Sequence, residues 1–325
     1  WHWLSVWCHH YLLPKDELII QLWFDNDKLI AILPLYIKVN GLINELRFIG
    51  TGEAEAVEVC SEFQDLMILP AYQKQIFTHL NNYIISHNNI NLISFENFLL
   101  DGNIAAWLSQ FNDKQWKSQK ELTALRYILP VESSREQQIA IIRSKTTKRQ
   151  ANKAYQNKTL TYELVSDDSQ LRVFFELLVK LHNNAWQQRG QHGAFSQEQF
   201  VDFHRQFTKE MLKEERLVFF KVKCDEDTVA VFYGVIDQDI LFYYQSGIAE
   251  CDKIPSVGVS MHMIAMDIAR MRNITYYDLM KGTPHSYKNK FQQGTEIITS
   301  VELIKYPYSY FMLFAKMKKK LMSFI

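Results

Sequence analysis

Three side chains that can accept or donate a proton, Asp278, His285 and Tyr287, lie within ten consecutive positions. A histidine has a pKa suited to general-base work at neutral pH, and Asp278, at the end of a strand pattern, could act as a base or orient one. Lys288 could hold a phosphate or carboxylate of an acceptor. The pattern predicts acid–base chemistry. Structural roles stay open: a packed Tyr287 ring beside Phe291, a turn-capping Asp278 and a surface Lys288.

A turn that could bind an anion precedes these residues. The aromatic and branched run Ile240–Gly247 is typical of a strand, and the turn 253–260 follows it. Apolar residues at helical spacing from Met261 to Met271 predict a helix, and Ile274–Met280 predicts a second strand. A helix N-terminus with a glycine and two serines offers free N–H groups and a positive dipole end, which suit a phosphate or pyrophosphate.

The order of these pieces resembles the core of the GNAT acyltransferases, and more narrowly the bacterial GNAT group of cellulose and envelope-polysaccharide biosynthesis (the CelD/BcsL type). The resemblance covers about residues 140–295. Its pieces are Leu181–Gly190, Tyr244–Gly247, Pro255–Gly258, Tyr277–Gly282 and Tyr287-Lys288. The turn departs from the usual Q/R-x-x-G-x-G/A pattern at Pro255 and Ser260.

The resemblance implies that acetyl-CoA is a co-substrate and that Tyr287 protonates the departing thiolate. A tyrosine pKa of about 10 is close to that of a free thiol, so this proton transfer is well matched. The resemblance and the turn together predict the cofactor-binding residues Ser246, Ser256, Val257, Gly258, Val259 and Ser260. The predicted substrate-binding residues are Arg149, Trp186, Arg189 and Lys288.

Alternating strand and helix patterns predict an α/β chain, and the resemblance implies two GNAT-like halves, each a mixed sheet flanked by helices. Residues 1–130 form a degenerate half in which no glycine-bearing turn opens a helix, and residues 131–305 form the acyltransferase domain. Residues 306–325 form a basic amphipathic helix. Such a helix could lie on an anionic membrane surface or dock on the domain.

Two further elements bear on the second half. One helix is predicted from Ser133 or Ser134 to about Asn157, with six basic and no acidic residues between Arg143 and Lys158. Its basic face is either a solvated surface or a wall for CoA phosphates or an anionic acceptor. A last strand, Glu296–Leu303, is expected to close the sheet.

Composition limits the partners. Thirty-six basic and 36 acidic residues leave no global field for nucleic acid. Four scattered cysteines favour free thiols in a cytoplasmic protein, and no histidine spacing indicates a metal site. The longest apolar run, residues 29–37, is too short to span a bilayer. Contact with the inner face of the membrane would depend on the terminal helix.

The resemblance therefore implies acyl-CoA-dependent N- or O-acyl transfer, with acetyl as the expected group, to a sugar or envelope-polysaccharide precursor. Two alternatives stay open. A FemABX-like transferase would take an amino acid from aminoacyl-tRNA, although the neutral charge balance disfavours tRNA binding. A non-catalytic scaffold in polysaccharide assembly would keep only the fold.

Overall fold

The computed structural model describes residues 1–41 and 43–308, apart from the side chains of residues 119–121. The predicted basic helix at the C-terminus therefore lies outside the described residues beyond Tyr308. No helix in the described ranges is long and apolar enough to cross a membrane. All four cysteines carry free thiols.

The chain divides into two units by its internal contacts. The N-terminal unit comprises Trp7–Glu53, Val59–Ala124 and, as far as it is described, Ile297–Ile325. The C-terminal unit comprises Trp1–Val6, Ala54–Glu58 and Leu125–Glu296. This division differs from the expected 1–130 and 131–305, because the first six residues pack in the C-terminal unit and the last strand pairs in the N-terminal unit.

The N-terminal unit is an α/β arrangement. Its elements are α1 (His2–Tyr11, shared with the C-terminal unit), β1 (Glu17–Asp25), β2 (Lys28–Asn40), β3 (Ile43–Phe48), β4 (Met67–Ile68), α2 (Gln73–Ser86), β5 (Leu92–Leu99), α3 (Asn103–Gln110), β6 (Trp116–Pro130, which continues into the C-terminal unit) and β12 (Glu296–Lys305). The sheet order is β1-β2-β3-β5-β12. The turn-forming residues Asp25-Asn26-Asp27 between two apolar runs predict a hairpin. The antiparallel pairing of β1 and β2 around Asn26, whose φ is 51°, confirms it.

In this unit β3, α2 and β5 form a strand–helix–strand motif whose strands are parallel only at Glu45–Arg47 and Leu92–Ser94. Beyond that level the chain itself lies beside β5, because the Phe63 N–H donates to the Asn97 carbonyl at 2.7 Å. The start of α2 has no side-chain cap. That this half is degenerate stays a prediction.

The C-terminal unit contains five strands of its own and five helices. They are α4 (Arg135–Ile141), α5 (Lys145–Gln156), β7 (Leu160–Leu164), α6 (Asp168–Gln187), α7 (Glu198–Lys213), β8 (Leu217–Cys224), β9 (Asp227–Asp237), β10 (Ile240–Ile248), α8 (Val257–Met271) and β11 (Tyr276–Gly282). The sheet order is β7-β8-β9-β10-β11-β6. Strands β10 and β11 are parallel, whereas β7–β8, β8–β9, β9–β10 and β11–β6 are antiparallel. Helix α8 is the crossover between β10 and β11.

Two predictions for this unit are wrong. The single helix expected up to Asn157 is two helices, because the N–H groups of Arg143 and Ser144 donate to carbonyls at 291 and 290 rather than to a preceding turn. Ser144 then caps α5 by accepting from the Thr147 N–H. The last strand, β12, pairs antiparallel with β5 and so belongs to the N-terminal unit.

Helices cover both faces of the C-terminal sheet. Helix α8 packs its buried face against residues such as Leu241 and Tyr277. Helix α6 crosses β10 so closely at Gly247 that an added Cβ would lie 2.6 Å from the Cβ of Leu181 and 3.0 Å from the Leu178 carbonyl. Gly247 is therefore the residue that lets α6 approach β10.

Gly247→Ala should destabilise the protein by about 1–3 kcal/mol, the usual cost of overpacking a tight contact. Without the clash, alanine would restrict the unfolded chain and stabilise the strand slightly. Urea unfolding at neutral pH measures the difference. Gly258→Ala is the matched control, since its Cβ would meet only an ordinary contact; equal unfolding midpoints for the two variants would contradict the packing argument.

Candidate active site

The two parallel strands of the C-terminal unit stop pairing well before they end. Their register covers Ile240–Phe242 and Tyr276–Asp278, although β10 continues to Ile248 and β11 to Gly282. At this level β10 shifts register against β9, and β11 shifts register against β6. The opening between Tyr243–Ile248 and Leu279–Gly282, called the β10–β11 crevice below, lies at the carboxyl ends of two strands, where α/β sheets bind ligands.

The first turn of α8 follows this crevice in the chain, and its serines are committed to the helix. Ser256 caps it by accepting from the Val259 N–H at 3.3 Å. Ser260 donates from its backbone N–H and its hydroxyl to the Ser256 carbonyl. Across the described ranges, the N–H groups of Val257 and Gly258 have no hydrogen-bond acceptor. They are the groups left to meet an anion.

Gly258 has no structural reason to be glycine in the folded chain. Its φ is not positive, and an added Cβ would meet only Cδ1 of Ile248 at 3.4 Å. A glycine in a helix costs roughly 0.5–1 kcal/mol relative to alanine. The absent side chain does leave open space over the N–H groups, which is the space that a bound phosphate would need.

Tyr243 is a residue on the α8 side of the sheet that the sequence analysis did not identify. Its hydroxyl lies 2.7 Å from the Ser246 Oγ, and its ring lies edge-on to the His262 ring with 4.9 Å between the centroids. Tyr287, which begins the short helical turn Tyr287–Lys290, stacks on the same imidazole ring. Tyr243 thus links the predicted Ser246 to the group of rings around Tyr287.

Burial raises the pKa of Tyr287 well above its usual value, and Tyr243 adds to the increase. The residue as a whole is 43% exposed, so its hydroxyl end is the part turned inward. Tyr287 is therefore fully protonated at neutral pH. The close match between its pKa and that of a free thiol, on which the sequence argument relied, is absent in the unliganded chain.

His262, in the second turn of α8, is a further residue that the sequence analysis missed. It is 2% exposed, its ring stacks on Tyr287 at 6.0 Å between centroids, and its Nδ1 lies 2.7 Å from the Tyr277 hydroxyl. Burial lowers the pKa of His262 to about 3, and Lys288 adds to the decrease. A neutral imidazole at this position fixes the Tyr287 ring but carries no charge at neutral pH.

Asp278 points to the sheet face opposite Tyr277 and is fully buried. Its Oδ2 accepts from Arg126 Nε at 2.7 Å and its Oδ1 from the Met280 N–H at 2.7 Å. Burial raises the pKa of Asp278, although Arg126 opposes the shift. This carboxylate fastens the bend of β11, where Met280 has a positive φ of 65°. Its predicted role as a base stays a prediction.

The other predicted residues lie at several places. His285 is exposed in the loop before Tyr287, and Lys288 donates its amine to the Lys281 carbonyl at 2.6 Å. Trp186 donates from Nε1 to His182 Nε2 at 2.9 Å, and the Arg189 guanidinium lies 5.7 Å from the Trp186 ring. The backbone N of His182 lies close to the end of β10, because it would be only 3.0 Å from a Cβ added at Gly247. Trp186, which hydrogen bonds to His182, therefore lies near the end of β10.

Arg149 is exposed on α5 and one turn from Lys145, which is also exposed. Within the described ranges neither forms an ion pair. Lys148 is different, because its amine donates to the Ala140 carbonyl at 2.6 Å. Across the same residues, no group of three or more histidine, cysteine or acidic side chains lies together in a way that could hold a metal ion.

Arg126→Met should lower the free energy of unfolding by about 3–5 kcal/mol at neutral pH, because it leaves the buried Asp278 carboxylate without its ion-pair partner. A carboxyl whose pKa is higher in the folded than in the unfolded chain stabilises the folded chain below its unfolded pKa, and this stabilisation is lost as the pH rises through its folded pKa. Removing Arg126 raises the folded pKa of Asp278 further. The stability that Arg126→Met loses relative to wild type should therefore become smaller as the pH falls towards about 5.

Urea unfolding at both pH values tests this expectation. Arg135→Met is the matched control, since Asp267 then keeps its second ion pair with Arg270, and it should cost less. An Arg126→Met deficit that is equal at the two pH values would contradict a buried, cation-dependent carboxylate.

The model of the acetyltransferase (GNAT) domain family matches residues 143–289. This range includes every residue predicted for catalysis, cofactor binding and substrate binding. No curated protein matches the chain.

Among solved structures, FemX has a TM-score of 0.65 at 11% identity and covers 95% of this chain and 93% of its own. The C-terminal domain of a putative lysylphosphatidylglycerol synthetase from Agrobacterium fabrum has a TM-score of 0.51 at 8% identity, covering 91% and 86%. A tandem GNAT protein from the clavulanic acid biosynthesis pathway has a TM-score of 0.50 at 7% identity, covering 92% and 86%.

At such low identities, these structural similarities show a shared fold and nothing beyond it. The chain is therefore an α/β protein with a tandem GNAT-like fold, and its segment 143–289 matches the GNAT acetyltransferase domain family.

Proposed function

We propose that the C-terminal unit is an acyltransferase that uses acetyl-CoA and transfers the acetyl group to an amine or hydroxyl of a sugar or envelope-polysaccharide precursor. The observation that carries the proposal is the β10–β11 crevice followed by the first turn of α8, with two N–H groups under an unobstructed Gly258. The family match over residues 143–289 supports it. The CelD/BcsL-type resemblance supplies the acceptor class.

The residues around the crevice fit an acyl-CoA. The N–H groups of Val257 and Gly258 would meet the pyrophosphate, where the helix dipole favours negative charge. Strand edges that no longer pair can hydrogen bond to an extended pantetheine arm. Acetyl-CoA would supply an activated acyl group on a thiol leaving group.

Two residues would serve the chemical step. Tyr287, which is protonated at neutral pH, would donate its proton to the departing sulfur. A backbone N–H near the divergence of the strands would polarise the acyl carbonyl. His285, exposed beside Tyr287 in the chain, is better placed for an acceptor proton than Asp278, which is buried on the other face.

The exposed cations of α5 complete the proposal. Lys145 and Arg149 would attract CoA phosphates or an anionic acceptor, and Trp186 with Arg189 would border the acceptor. The protein would act in the cytoplasm on a small-molecule or glycan acceptor, without nucleic acid. Contact with the inner face of the membrane would depend on residues outside the described ranges.

A FemABX-like aminoacyl transferase is the second candidate. The observation in its favour is the fold shared with FemX over most of both chains. The balance of 36 basic and 36 acidic residues disfavours it, because tRNA binding depends on neutralising many phosphates. Binding of CoA separates this candidate, and a non-catalytic scaffold, from the first.

Gly258→Glu should weaken CoA binding by at least about tenfold, because it places a side chain and a negative charge against the pyrophosphate. Isothermal titration of CoA into the folded protein measures the affinity. Gly258→Gln has nearly the same size without the charge, so it should retain more affinity than Gly258→Glu. CoA binding that is unchanged in a folded Gly258→Glu variant would place the site elsewhere.

Tyr287→Phe should lower turnover by at least roughly tenfold and leave CoA affinity nearly unchanged, since a positioned proton donor contributes about 10²–10⁴ in rate. The ring keeps its stacking on His262 and loses only the hydroxyl. Release of free thiol from acetyl-CoA, with glucosamine as acceptor, measures turnover. A fully active variant would remove the acid role from Tyr287 while leaving the acyltransferase proposal intact.

A further inference from the structure

A groove in the N-terminal unit lies between α3 and the strands β6 and β12. Its volume is about 380 Å³. Its lining includes apolar side chains that are not fully buried, namely Leu100, Leu108, Phe111, Trp116, Val301 and Leu303. Single exposed apolar residues are ordinary on a protein surface, whereas a contiguous apolar patch marks an interaction site. The groove is therefore a surface that a partner should cover.

The described chain ends beside this groove. Lys305, the last residue of β12, places its Nζ 5.9 Å from the centre of the Trp116 ring. The next residue, Tyr306, donates its N–H to the Gln115 carbonyl at 2.7 Å. The chain turns at this point. The polypeptide that continues beyond the described residues therefore starts close to Trp116, which lines the groove.

The continuing segment, residues 309–325, has the pattern of an amphipathic helix. At about 100° per residue, such a helix would have one wide apolar face. This face would carry Phe311, Phe314, Leu321, Met322 and Ile325. Lys316 and Lys320 would lie on the opposite face.

The length of the segment is also sufficient. A helix over residues 309–325 would be about 25 Å long. Strand β12 lines the groove from Thr299 to Leu303, a distance of roughly 13 Å along the strand. The segment can therefore cover the groove after the chain has turned.

The charges of the segment and the groove fit each other. Lys318 is the lysine that would fall within the apolar face of the helix. Asp113 lines the groove, and its Oδ1 accepts from the Gln115 N–H at 2.7 Å. Across the part of the chain that the structure describes, Asp113 forms no ion pair. An ammonium group on the apolar face can therefore meet a carboxylate at the groove.

We propose that the groove between α3, β6 and β12 docks residues 309–325 of the same chain as an amphipathic helix, with the apolar face inward and Lys318 against Asp113. The covalent link favours this occupant over a free partner, because a short tether gives an effective concentration in the millimolar range. Docking would leave the apolar face unavailable to an anionic membrane surface. It does not depend on the proposed acyl transfer.

Photo-crosslinking in the full chain tests the docking. Phe314→benzoylphenylalanine places the probe on the apolar face, and Lys316→benzoylphenylalanine is the matched control on the opposite face. Mass spectrometry maps the crosslinks after irradiation of dilute protein. Position 314 should crosslink within its own chain to residues 100–118 or 299–303, in a yield at least about fivefold higher than position 316, because only one face of the helix meets the groove.

A pair of substitutions in the probe-bearing chain tests the groove itself. Leu100→Asp places a charge in the groove, whereas Leu122→Asp places one at a leucine outside its lining; the two leucines are 49% and 53% exposed. Leu100→Asp should lower the crosslink yield from position 314 at least about threefold, because docking would take the new charge out of water. Leu122→Asp should leave the yield unchanged.

Three results would overturn the proposal: equal crosslink yields from positions 314 and 316, crosslinks from position 314 to another surface or to a second chain, or equal effects of the two leucine substitutions. Vesicles of equimolar phosphatidylglycerol and phosphatidylcholine test the membrane as the alternative occupant. The crosslinks from position 314 should persist when these vesicles are present. A fall to the level of position 316 would assign the apolar face to the membrane instead.

Discussion

The candidate site depends on the early end of pairing between β10 and β11. Parallel strands that stayed in register to their ends would leave no opening, and the chain prevents this on both strands. On β11, the buried Asp278 accepts from Arg126 and from the Met280 N–H, which holds the bend after the last paired residue. On β10, a register shift against β9 follows Tyr243. The opening is therefore part of the sheet's own structure. The buried ion pair between Arg126 and Asp278 stabilises it, and removing one partner of such a pair is strongly destabilising.

The N-terminal unit shows what the same motif becomes without this opening. Strands β3 and β5 also pair in parallel over three residues each, but the chain around Phe63 lies beside the end of β5. Its helix α2 starts without a side-chain cap, whereas Ser256 caps α8. Two units of similar topology thus differ in the features that would receive a ligand.

Local pattern was enough to predict most elements, because the turn residues around Asn26 and the apolar stripe of α8 are local signals. The single long helix was wrong because the partners of the Arg143 and Ser144 N–H groups lie nearly 150 positions away. Tyr243 and His262 were missed for a similar reason. Each sits in an aromatic or apolar run, and only the fold brings them to Tyr287. Asp278 was identified from the sequence, but its partner Arg126 lies 152 positions away in the chain, on the strand β6 that pairs with β11.

Hydrogen exchange of the full wild-type chain with and without CoA tests the central claim most directly, because it reports binding along the whole backbone. Binding in the β10–β11 crevice predicts slower exchange at the start of α8 and at Tyr243–Ile248, with the start of α2 and the end of β5 unchanged. Protection confined to the N-terminal unit, or no protection at a CoA concentration that saturates thermal stabilisation, would contradict the account.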